Sequence, residues 1–352
     1  MGKRGFIAVF LVLCFGLPFL VSSFVFAASS DKPITLKFAH HNPPNGRTTV
    51  KMIDPYMRKI EKATKGRIKI VSYPAQSLAK AKEMVPAIEG GVADMGWAPL
   101  GYAAGRFPLS TVMTLPFMAL PTAGKNSRVF QELYEMLPEL QKEFSSLKVL
   151  ILHTTEPYFI ATSKSPIHNL NELKGKKLRI VGAYPIKAAK RLGATPVFTP
   201  MPDVYETAQR GVIDGATVPW GAVPTNKLYE VFDYWTDVNL WLATFVIMMN
   251  LNTWNSLPPD IQQEIMSVSG VEGAEWAGNA AFGPQAKDET LAEVKKLGLT
   301  FEKVSLDAGE IEKWKKIAGE PIWDEWVEQM EKKGLPGKKV LDAASKLMEK
   351  YK

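Results

Sequence analysis

Apolar and polar residues alternate along 34–39 (ITLKFA) and again along 67–73 (RIKIVSY), and strict alternation over such lengths predicts half-buried strands. Between them Val50, Ile53, Met57 and Ile60 recur at helical spacing, so residues 48–64 are expected to be a helix, with Gly66 ending it. A strand, a loop, a helix and a second strand in that order open an α/β domain with a mainly parallel sheet. The pattern continues with a helix over 80–89, the pair Gly90-Gly91 and a short strand over 93–97. Residues 127–144 are amphipathic and helical, and 147–153 (LKVLILH) reads as a buried strand.

The same order of helix, glycine and short strand returns at 185–198 and at 202–217, which predicts a second domain wound like the first. Residues 241–250 (WLATFVIMMN) are apolar almost throughout, as in a strand buried on both faces, and are read as carrying the chain back to the first domain. Leu257-Pro258-Pro259-Asp260 is a helix entry, and the helical pattern lasts to about 297. Pro284 removes a backbone donor and crowds the carbonyl of residue 280, so a kink or break belongs there. The expected division is 1–27 as a signal segment, 28–153 plus 241–282 as domain I, and 154–240 plus 283–352, with the C-terminal helices, as domain II.

The first residues have a chemistry of their own. Lys3 and Arg4 precede an apolar run from Phe6 to Phe26, followed by small residues at Ala27-Ala28, which is the layout of a cleaved secretory signal. The only cysteine, Cys14, lies inside that run, so the mature chain has no disulfide and must be held by its core. The formal charge of +7 is modest and dispersed, which does not fit nucleic-acid binding. The chain has no G-x-S-x-G elbow, H-E-x-x-H pair or phosphate-binding loop, which removes the common exported hydrolases and metalloproteases. His40 and His41 are adjacent, so in a strand they point to opposite faces and cannot share a metal ion. No metal or cofactor is expected.

The strand that carries the functional question is Leu178-Arg179-Ile180-Val181. A guanidinium in a half-buried strand needs a partner. It pairs either with a protein acid such as Glu156 or Asp214 or with an anion from outside.

Several phrases narrow that choice: LKFAH at Leu36, AIEGGVADMGW at Ala87, FPLSTVMTLPF at Phe107, NELKGKKLRI at Asn171, VYETAQRGVIDGATVPW at Val204 and MMNLNTWNSLPPDIQ at Met248. Together, in this order and behind a signal segment, they resemble the solute-binding proteins of tripartite ATP-independent periplasmic (TRAP) transporters. The resemblance implies a two-domain α/β periplasmic binding protein fold with mixed sheets and flanking helices. It also implies a long helix spanning both domains, a ligand held in the cleft between them, and delivery to a membrane permease from the periplasm. A monomer or weak dimer is expected.

Family ligands are mostly organic carboxylates, gripped by the arginine of the LRI strand, which carries over to Arg179. A planar guanidinium fork suits a carboxylate in a way lysine does not. Many members have a second arginine where this chain has Tyr158, and some have an asparagine where it has Val218. Fewer charges and more aromatic surface favour a monocarboxylate with an apolar or aromatic body over a C4-dicarboxylate. His40 at the end of the first strand, Gln76 in a loop, Trp97 and Trp220 facing each other, and Met201, Thr244 and Phe245 complete the expected pocket. Closure is expected to bend the chain near His153 and Trp241.

Overall fold

The computed structural model describes Gly2 and residues 32–352; the expected signal segment lies outside the described residues, apart from Gly2. Among the described residues, eleven strands form two mixed sheets. In chain order they are β1 Ile34–Ala39, β2 Ile68–Tyr73, β3 Met95–Pro99, β4 Leu147–Thr154, β5 Phe159–Thr162, β6 Lys177–Arg179, β7 Thr195–Val197, β8 Gly215–Val218, β9 Tyr234–Asp237, β10 Thr244–Asn250 and β11 Glu302–Ser305. The first sheet has the order β2-β1-β3-β10-β4 and the second β11-β9-β5-β8-β6-β7.

In the first sheet β1 runs parallel to β2 and β3, while β10 enters antiparallel between β3 and β4. That placement explains the unbroken apolar run of β10, since every one of its residues is buried. In the second sheet β6 runs parallel to β7 and β8, and β5 runs antiparallel to β8 and β9. Each sheet with its helices forms a lobe.

The lobes are joined where the chain leaves β4 and where it returns to β10. These two crossings run side by side: Thr155 N–H donates to Ala243 O at 3.0 Å, and Tyr158 N–H to Trp241 O at 2.7 Å. A third crossing is the helical stretch expected after Leu257. It is three helices, Pro259–Met266, Gly270–Phe282 and Gln285–Lys296, so the chain breaks once at Ser267–Ser269 as well as at Gly283–Pro284. Gly270–Phe282 packs on the helix Ala123–Met136 so closely that a Cβ on Gly278 would lie 2.2 Å from Ser127 Oγ. Gln285–Lys296 belongs with the second lobe, where Thr290 Oγ1 donates to Trp220 O at 3.2 Å.

The last two C-terminal helices depart from the expected assignment to the second lobe, whereas Ala308–Ala318 lies against Ala183–Arg191 within it. The last helix, Gly337–Lys350, lies against Ala123–Met136 of the first lobe, and Tyr351 Oη reaches Glu132 at 2.5 Å. The helix before it, Glu320–Lys332, has a face on each lobe. Trp323 Nε1 donates to Pro116 O at 2.9 Å and Trp326 Nε1 to Thr111 Oγ1 at 2.8 Å on the first. Towards the second, Glu325 pairs with Lys187 and Arg191, and Tyr184 Oη donates to Gln329 at 2.9 Å. Indole rings need burial and a partner for N–H, and the first lobe supplies both. Among the described residues, no helix is long and apolar enough to cross a membrane.

Candidate functional site

The carboxyl ends of β1, β3, β6 and β8 meet between the lobes, the edge at which open α/β sheets hold ligands. Arg179 is the last residue of β6 and its side chain is buried, with 2 % exposure. Neither sequence-level acid reaches it: Asp214 accepts from Lys177 N–H at 2.8 Å, and Glu156 accepts from Trp220 N–H at 2.7 Å. Arg179 instead donates from Nε to Thr199 O at 2.9 Å, from Nη1 to Thr217 O at 3.3 Å and from Nη2 to the hydroxyl of Tyr102 at 3.2 Å. All three acceptors are neutral, and no carboxylate among the described residues pairs with it. A guanidinium has five N–H donors, so one on each η nitrogen is left over.

Arg179 lines a cavity of about 60 Å³ shared by both lobes. Of the residues named from the sequence, Trp97, Tyr158, Met201, Thr244 and Phe245 line it with Arg179. Its floor is an aromatic stack. Trp97 lies on Phe245 with centroids 4.6 Å apart and planes 9° apart, and Phe245 lies on Phe282 at 5.6 Å and on His153 at 5.1 Å. Trp97 Nε1 donates to His153 Nε2 at 2.7 Å, which places the imidazole proton on Nδ1. Burial holds His153 down at about 3, so it stays neutral.

Four expected residues are placed elsewhere. His40 is fully buried beneath the cavity with Nε2 3.2 Å from Ser72 Oγ, and it is His41 that reaches the lining, 4.9 Å from the Trp97 ring. Burial, with His40 and Arg179 nearby, lowers His41 to about 3. Gln76 lies on an outer groove that shares His41 and Asn42 with the cavity, its Oε1 accepting from Ala81 N–H at 2.8 Å. Val218 is core, and Trp220 turns from the cleft to stack on Phe159 at 4.4 Å and Trp235 at 5.0 Å. Pro219 and Gly221 take the wall positions on either side of it.

The sequence reading missed Tyr102. It follows β3 of the first lobe in the turn Leu100–Tyr102, yet its hydroxyl accepts from Arg179 and from Met201 N–H at 2.8 Å, both in the second. With two donors already accepted, the hydroxyl proton is free to be donated. The signal was its position just past the carboxyl end of a strand. Beside the cavity, Glu156 is half-buried with its Oε2 shut off from solvent and unpartnered, and desolvation pushes its carboxyl up to about 8 against the pull of the Trp220 amide and Arg47. Burial likewise raises the Tyr158 hydroxyl, opposed by Arg179.

The pattern that defines the bacterial extracellular solute-binding proteins of family 7 matches residues 38–332. The chain belongs to this family. It is similar to a TRAP solute-binding protein from Rhodoferax ferrireducens T118, solved in complex with copurified benzoate, at 30 % identity and a TM-score of 0.84, covering 90 % of this chain and 98 % of that one. A marine metagenome TRAP solute-binding protein specific for aromatic acid ligands, solved with 3-hydroxybenzoate, matches at 30 % identity and 0.83 over 91 % and 99 %. The C4-dicarboxylate-binding periplasmic protein DctP of Rhodobacter capsulatus is 25 % identical over 85 % of this chain and 88 % of its own. The chain is thus a TRAP solute receptor, a transport component and not a member of a catalytic family.

Proposed function

We propose that this receptor works in the periplasm, closes on a small monocarboxylate with an aromatic or apolar body, and presents it to a TRAP permease. The observation that carries the reading is the buried Arg179, which has neutral acceptors only and lines an aromatic-walled cavity. A buried cation without a counter-charge costs several kcal/mol, on the order of 3 to 5, and a carboxylate in the fork removes that cost.

Among the described residues lining the cavity, Arg179 is the one that carries a charge, with His41 held neutral. A second carboxylate would have no cation to meet. The hydroxyls of Tyr102 and Tyr158 add neutral donors near the first. The aromatic floor of Trp97 and Phe245 supplies a flat apolar surface, worth roughly 25 cal/mol for each Å² of ligand it covers. A cavity of about 60 Å³ holds a handful of waters at ~10–15 Å³ apiece, which is the scale of a single-ring acid. The two solved relatives named for benzoate and 3-hydroxybenzoate support the same class.

The test is native mass spectrometry of protein purified without denaturation, to find a co-purified acid, followed by calorimetry with benzoate. Arg179→Lys keeps the charge and the fold but loses the fork, and affinity is expected to drop about tenfold or more. Equal affinity in the two proteins would end the assignment of Arg179 as the carboxylate anchor.

A further inference from the structure

Behind the cavity lies a larger space of about 410 Å³, also between the lobes, walled by the turn after β3, the segment Gly182–Ile186 and the helix Glu320–Lys332. Its lining is mostly apolar, with Leu100, Phe107, Ile186 and Phe198 among it. Five residues line both spaces: Gly101, Tyr102, Thr114, Gly182 and Thr244. The two chambers therefore share one wall. Four of those five residues are glycine or threonine, so the ring of Tyr102 is the only bulky part of the partition.

Its hydroxyl is held on the far side by Met201 N–H and Arg179, which fixes the ring across the opening. The edge of Phe198, 5.9 Å away at 82°, closes on it from the second chamber. We propose that Tyr102 is the specificity-determining residue of this receptor: it limits the body of the acid to the small chamber and keeps the larger one out of reach. The larger chamber is then a latent subsite for monocarboxylates with a longer apolar body. Charged groups on its lining are Lys82 and Lys333, so a neutral or anionic far end suits it and a cationic one does not. This inference rests on the proposed anchoring of a carboxylate at Arg179.

The experiment is calorimetry of the full mature chain with benzoate and with 4-phenylbutyrate, whose flexible chain can carry a ring past position 102. The wild type is expected to favour benzoate by about tenfold or more, the scale on which an apolar pocket rejects an ill-fitting body. Tyr102→Ala should weaken benzoate and bring the ratio to favour 4-phenylbutyrate. Tyr102→Phe keeps the ring but not the tether, and should weaken both acids while the ratio stays near that of the wild type. Adding Ala183→Phe, which refills the second chamber, to Tyr102→Ala should remove the gain for the longer acid. If Tyr102→Ala does not fold, Tyr102→Leu is expected to give an intermediate ratio.

A wild-type ratio near one, or a ratio unmoved in Tyr102→Ala or Tyr102→Leu while benzoate still binds, overturns the partition and leaves the anchoring at Arg179 intact. Binding of neither acid by the wild type overturns the monocarboxylate reading and this inference together.

Discussion

The backbone N–H of Arg47, in the first lobe, donates to Oγ1 of Thr225, in the second, at 3.0 Å. The side chain of the same arginine donates from Nε to Ala281 O at 3.1 Å, at the end of the helix before the Gly283–Pro284 break, and pairs through Nη1 with Glu289 beyond it. One residue thus bridges both lobes and the junction of the third crossing, without lining the cavity.

Arg47→Met should weaken acid binding about three- to tenfold, the discounted value of charge-assisted bonds to a half-exposed partner. The change should fall on dissociation, because the pair with Glu289 forms only when the lobes are together. Stopped-flow fluorescence separates the rates; a loss confined to association would contradict the bridging role.

Stability should peak near pH 6.5. Unfolded histidine takes up a proton near 6.5, whereas burial holds His40 to about 4 and His41 and His153 to about 3 in the fold. Between those values the unfolded chain holds more protons, so stability falls as pH is lowered through the window. Glu156 has the opposite sign: its carboxyl titrates at about 8 in the fold against 4.5 unfolded, so the folded state holds the extra proton and stability falls as pH rises from 4.5 to 8. Three groups outweigh one below 6.5, and Glu156 acts alone above it. Each unequal proton contributes at most about 1.4 kcal/mol per pH unit. Urea unfolding across pH 4.5 to 8.5 checks the dome, and Glu156→Gln should flatten its alkaline side and steepen its acid side.

Gly278→Ala should destabilise the first lobe by about 1–3 kcal/mol, the usual cost of overpacking. Its new Cβ would meet Ser127 Oγ at 2.2 Å and Ala123 O at 2.7 Å, and the second of these is backbone that cannot swing aside. A urea midpoint equal to that of the wild type would show that the two helices can separate freely.

Much of the fold was legible because β1, β2, β4 and β10 each bury a face or both faces that their residue pattern announces. Arg179 was legible because a charge inside an apolar strand has few explanations. The choice between His40 and His41 was not. The strand ends at Ala39, the last bond to β2 is made by His40 N–H to Tyr73 O, and past it the alternation of faces no longer decides which side chain meets the cleft. Trp220 was misplaced for a related reason: a tryptophan after a strand end can serve a cleft or a core, and here Phe159 and Trp235 offered a complete stack. Tyr102 was silent because its role is a contact between lobes, fixed by the closure of the cleft and not by any local period.

The helix Glu320–Lys332 holds the first lobe with two indoles and the second with Glu325 and Gln329. Its two faces differ in what weakens them. Dissolved salt leaves the indole side intact but screens the partly exposed pairs of Glu325 with Lys187 and Arg191, over a Debye length of about 8 Å in physiological media and ~3 Å at 1 M. A receptor facing the outside medium therefore has a seam that loosens with salinity, and the shielded Arg179 takes no part in its ion pairs. Brine in the surroundings would shorten the time an acid stays bound, with no change to the atoms that hold it.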